Sequence, residues 1–148
     1  MHQSNPIVCC RVAALLFVLS GAAVAAGKSE IKGSAILDHP CGKVAVKQMG
    51  LVHDGKFDEA NKLSTREMQD QWKAMPAKDQ TMMREMMKAT SSSEQQYASD
   101  IKANGVLVID GQTGMLTVKQ TTKDKSGTST STTTQNFRLD GSQCLVSR

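Results

Sequence analysis

Apolar positions along the chain fall into three regimes. From Val12 to Ala26 they are nearly continuous, and VAALLFVLSGAAVAA carries no charge. From about residue 36 to 91 they recur at intervals of three and four. Beyond about residue 104 they alternate, or cluster in short runs between turn signals. A helical period followed by a strand period predicts helices first and an antiparallel sheet second.

The first regime has the form of an export signal. One charge, Arg11, precedes the apolar run, and Val24 and Ala26 stand at the −3 and −1 positions of a cleavage site. The run is short of the roughly 20 residues that a spanning helix needs. Residues 1–26 therefore read as a cleaved signal peptide, and 27–148 as one domain large enough for a core.

In the second regime ILDHPCGKVAVKQMGLVHDG reads as one helix. Leu37, Cys41, Ala45, Met49 and Val52 form its apolar stripe, widened by Val44 and Leu51. Pro40 suits a first turn and Gly55 a stop. The stretch from Gly55 to Ala60 then reads as a helix corner. Phe57 folds back onto the preceding helix, while Asp58 and Glu59 open the next, where the dipole favours negative charge. Ser64 or Thr65 starts a further helix, with Glu67 three residues after Ser64 at capping-box spacing. Met68, Trp72 and Met75 share one face of it. Pro76 ends that helix and opens another, which carries Met82, Met83, Met86 and Met87. Gly27 to Ser34 is polar and reads as a flexible lead-in.

Strands are expected near 104–110, 114–124, 128–139 and 142–147, separated by Asp110-Gly111, Lys125-Ser126-Gly127 and Asp140-Gly141. The segment 95–103 reads either as a further strand or as the end of a helix. The Thr-rich tract TSTSTTTQ, 128–135, reads as a solvent-facing strand.

Charge changes this picture little. Losing Arg11 takes the formal charge from +4 to +3, and the charges are interspersed, which leaves no nucleic-acid footprint. Cysteine changes it more. Cys9 and Cys10 leave with the signal, and an exported chain keeps the pair Cys41 and Cys144, expected to form a disulfide. Two isolated thiols make a poor metal site and lack C-x-x-C redox spacing.

GKFDEANKLST, residues 55–65, resembles the helix corner of the cystatin-like superfamily that includes nuclear-transport-factor-2-like domains. The resemblance extends to the order of elements over about 110 residues. It implies an α+β fold in which N-terminal helices pack on a curved antiparallel β-meander, a cone-like half-barrel. Members include enzymes, binding modules and inhibitors, so the fold does not choose among them.

The candidate chemistry is sparse. An enzyme of this class would place an acid–base pair in the cone mouth, and the mature chain offers only His39 and His53, both read as helix-end caps. Asp100, Asp110 and Tyr97 are thinkable pocket residues, equally readable as turn or surface positions. No hydrolase, zinc-protease or phosphate-loop motif occurs. The four clustered Met residues cannot all face one side of a helix. Either Met82 and Met86, or Met83 and Met87, should lie nearer the surface, leaving a soft apolar strip for partner docking, then dimer contact, then Cu(I) capture.

The expectation is a periplasmic, non-enzymatic module that binds another protein, in concrete form an immunity-type inhibitor of a toxic effector. Phe57, Trp72, Met82, Met83, Met86 and Met87 are its expected partner-binding residues. No catalytic residue, metal, cofactor, nucleic-acid contact or stable membrane insertion is expected, and a homodimer is one use of the strip. The alternative is a small-molecule or lipid-binding protein. A Cu(I)-binding protein or a small isomerase or hydrolase ranks behind it.

Overall fold

The computed structural model describes residues 27–124 and 127–148; the signal peptide read at 1–26 lies outside the described residues. The chain is an α+β protein. Its elements run β1 (Ser29–Lys32), α1 (Ala35–Asp38), α2 (Pro40–His53), α3 (Phe57–Asn61), α4 (Arg66–Ala74), α5 (Ala77–Thr90), α6 (Glu94–Asn104), β2 (Gly105–Asp110), β3 (Thr113–Asp124), β4 (Gly127–Asp140) and β5 (Gln143–Ser147). The five strands form one open antiparallel sheet in the order β1-β2-β3-β4-β5.

The meander follows from its turns. Gly111 and Gly141 each take the first position of a two-residue hairpin loop at φ +57° and +59°. That backbone matches strand twist and suits glycine. With register set by these turns, alternate residues share a face. Leu107 sits opposite Leu116, and Phe137 opposite Val146; all four are buried. Val118 and Cys144 complete this inner face. The Thr-rich part of β4 is exposed, as its composition predicts.

α1, α2 and α6 cover the inner face. Ile36, Cys41, Ala45, Tyr97 and Ile101 are fully buried against the strand residues. The expected disulfide is present: Cys41 in the first turn of α2 bonds Cys144 in β5, 103 residues away. A smaller cluster of Leu51, Val52, Phe57 and Ala60 forms the predicted corner, with Phe57 packed back onto the end of α2. No described helix is long and apolar enough to cross a membrane.

Three expectations are corrected, and the open choice at 95–103 falls to the helix. Residues 29–32 are not a flexible lead-in: they form β1 and pair with β2 from Ser29–Ile109 to Lys32–Val106. The first helix is two. His39 has an extended backbone (ψ 141°), because a residue before proline is driven out of the helical region, and α2 starts at Pro40. The segment 95–103 is helical and belongs to α6, so the helical half continues to Asn104. The capping box is not formed. Thr65 is the N-cap of α4 without a side-chain cap bond, and Ser64 is buried in a parallel bridge to Val146.

His39 does cap a helix. Its Nδ1 accepts the Cys41 backbone N–H at 3.2 Å. The role requires a neutral ring, and partial burial lowers the His39 pKa below the ordinary 6.5. A depressed folded pKa means that this contribution is complete above 6.5. It is lost as pH falls from there through the lower folded value. Urea unfolding at pH 7 and pH 5 should show a fall in stability that His39→Asn, which caps without titrating, reduces. An equal fall in both proteins would refute the cap.

Tyr97 carries a different strain. Its hydroxyl is buried with no hydrogen-bond partner among the described residues. Burial, with a smaller contribution from Asp100, pushes its pKa up to about 12. An unpaired buried hydroxyl costs roughly 1–3 kcal/mol. Tyr97→Phe is therefore expected to raise stability by about 1 kcal/mol in thermal unfolding, and a loss of that size would show that the hydroxyl has a partner.

Candidate functional site

α4 and α5 bury no residue of their own in the core. They form an arm over the α2–α3 corner, held by polar and cation–π contacts and by Met68 and Met87, which pack against the two apolar clusters. Gln80 in α5 donates to the carbonyls of Trp72 at 3.1 Å and Met75 at 2.9 Å, so the hairpin is tied to itself. Arg84 ties it to the body: Nη2 lies 3.2 Å from Asp58 Oδ1, and Cζ lies 5.5 Å and 5.6 Å from the Phe57 and Trp72 ring centroids. Each such ring contact is worth about 0.5–1 kcal/mol when exposed.

Beneath the arm is a cavity of about 240 Å³. Phe57 lines it from the start of α3; Met68 and Trp72 wall it from α4, Met75 from the cap just after α4, and Met83 and Met87 from α5. The shared face predicted for α4 thus closes the site. The helical period decides the division of the Met cluster. Met83 and Met87, four residues apart, turn inward, whereas Met82 and Met86 on the next face are 65% and 57% exposed. Of the six expected binding residues, Phe57, Trp72, Met83 and Met87 converge. Met82 and Met86 do not join them.

A polar line meets the cavity at Gln48 and Ser64. Gln135 in β4 donates through Nε2 to Gln48 Oε1, and Gln48 Nε2 donates to Ser64 Oγ at 3.2 Å. Gln135 Oε1 is buried and lacks a partner among the described residues. Gln48 and Met68 also border a second hollow of about 510 Å³ against β4 and β5. Met68 further borders a cleft of about 450 Å³ that holds Arg66, Arg138, Glu67 and Asp140. Arg148 has the one charged side chain on the walls of the 240 Å³ cavity, and none of the lining side chains is a carboxylate, imidazole or thiol.

The candidate acid–base residues lie elsewhere and apart. His39 caps the start of α2 and His53 ends it, about 20 Å away along the helix. Tyr97 is in the core, Asp100 accepts from Gln96 and Gln120, and Asp110 is exposed at the β2–β3 turn. Sequence reasoning missed Gln48, Gln135, Arg84 and Arg148. The one available signal was Gln48, a polar residue four positions from both Val44 and Val52 in an apolar stripe.

In comparison with known proteins, the chain matches no family model, no curated protein and no solved structure.

Proposed function

We propose that the protein is a non-enzymatic binding module that takes an apolar ligand beneath the α4–α5 arm. The cavity carries this reading. Phe, Trp and four Met dominate its concave wall, the polar lining is Gln48, Asn61, Ser64, Gln71 and Arg148, and no lining side chain is a carboxylate, imidazole or thiol. Ligand sites have this form, a mostly apolar hollow with few polar groups at its edge, and thioether walls adapt to irregular guests. The roof has no fully buried residue and reaches the apolar clusters only through half-buried side chains such as Met68 and Met87, so it is the part of the fold best placed to open.

The placement is proposed as the periplasm. The residue 1–26 pattern and the Cys41–Cys144 bond both support it. The cystatin-like or nuclear-transport-factor-2-like assignment belongs to the same proposal, supported by the Gly55–Ala60 corner and by helices laid on an antiparallel meander. On that reading the sheet curves into the half-barrel cone.

N-phenyl-1-naphthylamine, neutral and apolar, tests the site. Saturable probe fluorescence is expected, reduced at least tenfold in affinity by Met83→Asp/Met87→Asp, with circular dichroism unchanged. Binding that is absent, or indifferent to the substitutions, refutes the reading.

Exposure of Met82 and Met86 favours a second reading, in which that strip docks a protein. The occupant would be a toxic effector, neutralised sterically by an immunity-type inhibitor, or a second copy of the chain. Light scattering of the purified protein tests the second copy: a monomer at 100 micromolar would remove it.

A further inference from the structure

We infer that Met68 and Met87 form a reversible oxidation site, and that oxygen transfer to their sulfurs releases the α4–α5 arm from the body of the fold. The inference concerns how the arm is fastened and goes beyond the choice of ligand. Of the residues in α4 and α5, these two alone pack against the apolar clusters, Met68 against the main core and Met87 against the Leu51, Val52, Phe57 and Ala60 group. Both are half-buried. Met68 borders the hollows of about 240, 450 and 510 Å³, and Met87 the first and last, so a small oxidant reaches both side chains.

No thiol competes for the oxidant within residues 27–148, because both cysteines are bonded to each other. The oxidant is a two-electron oxygen-atom donor, hypochlorous acid or a hydroperoxide. Hypochlorous acid gives its oxygen to sulfur and departs as chloride and a proton; sulfur loses two electrons and chlorine gains them. The sulfoxide is polar and accepts hydrogen bonds where the thioether made apolar contact. Such an oxygen is costly to keep against Leu51, Val52 and Phe57. Gln48 lines two of the hollows with both Met, but its amide already donates to Ser64 Oγ at 3.2 Å and to the Ala60 carbonyl at 3.4 Å. Water satisfies the new oxygen once the arm swings out. Gln80 keeps α4 and α5 together as they move, and the Arg84–Asp58 pair is left as a surface tether. Met82, Met86 and Met115 are more exposed and react first, but they belong to neither cluster, so their oxidation leaves the arm in place.

Full-length mature protein is treated with stepwise doses of hypochlorous acid. Peptide mass spectrometry locates the sulfoxides, and hydrogen exchange reads the amides of each element. Doses that oxidise only Met82, Met86 and Met115 should leave exchange unchanged. Once Met68 and Met87 are oxidised, protection in α4 and α5 should fall at least tenfold, with α2 and β2–β5 unchanged. Methionine sulfoxide reductases A and B should restore it. Met68→Leu/Met87→Leu should keep its arm protected at the same dose, which assigns the effect to these two among the oxidised side chains. Should that variant not fold, reductase reversal in the wild type decides in its place. An arm unprotected before treatment, or protection that survives oxidation of both residues, overturns the inference. So does a loss that spreads to α2 and the sheet, that the reductases do not reverse, or that is equal in the leucine variant.

Discussion

Replacing Cys41 and Cys144 together by alanine should lower the unfolding free energy by about 4 kcal/mol, on the chain-entropy account of a loop near 100 residues. For a domain of this length that is a fall in melting temperature of roughly 15 °C. The bond joins the first turn of α2 to β5. Both sulfurs sit in the main core, with Cys41 fully buried and Cys144 nearly so. Alanine is the proper replacement, since serine would add an unpaired hydroxyl in a dry site. Reduced wild-type protein should melt close to the double variant. A loss below about 1 kcal/mol would mean that the unfolded chain is already compact, or that the native bond is strained. Calorimetry with and without reductant distinguishes a missing bond from a weak one.

Gly42→Ala should cost about 3 kcal/mol, although alanine is the better helix former by about 1 kcal/mol. The sign is decided by distance. A Cβ at residue 42 would lie 1.8 Å from the Ile36 carbonyl oxygen and 2.6 Å from its carbon. Both are backbone atoms, and Ile36 is fully buried, so neither side can yield without moving α1. Gly50→Ala is the informative contrast. Its Cβ would meet the Glu94 side chain, at 2.1 Å from Cγ. Glu94 is exposed and can swing away, so a change within about 1 kcal/mol is expected. Urea denaturation of the two variants separates the cases. Equal effects would show that α1 is not held against α2 as described.

These contrasts mark what periodicity could and could not reveal. The strands from β2 to β5 were legible because apolar positions alternate or cluster between Gly-containing turn signals, and because the Thr-rich part of β4 has strand-favouring composition. α2 was legible from Cys41, Ala45 and Val52, but the break at His39 was masked by Leu37, which continues the stripe's spacing across it. Ile36, not Leu37, is the fully buried residue there. β1 escaped notice because SEIK is almost wholly exposed and is held by backbone pairing with β2, which side-chain patterns do not record. Ser64 looked like a cap for the same reason in reverse. Its local spacing to Glu67 was sound, but backbone pairing around Val146 turned its hydroxyl towards Gln48.

The site divides along the same line. Phe57 and the α4 face were visible because they lie within one corner and one helix. The choice between the two Met pairs depended on where α5 lies against α2, and adjacent helical faces are equivalent until packing distinguishes them. Gln48, Gln135 and Arg148 come from α2, β4 and the end of β5, brought near one another by the sheet order and by the packing of α2 on the sheet.

The sulfur bridge also has a timing consequence. Synthesis proceeds from the amino end, so Cys41 emerges with α2 and waits while all the remaining helices and three more strands are made. Cys144 is the only residue that can relieve it within residues 27–148. Within residues 27–148 a nascent chain stopped anywhere before β5 thus has no second thiol for Cys41, and the Cys41–Cys144 bond can form only once β5 has been made.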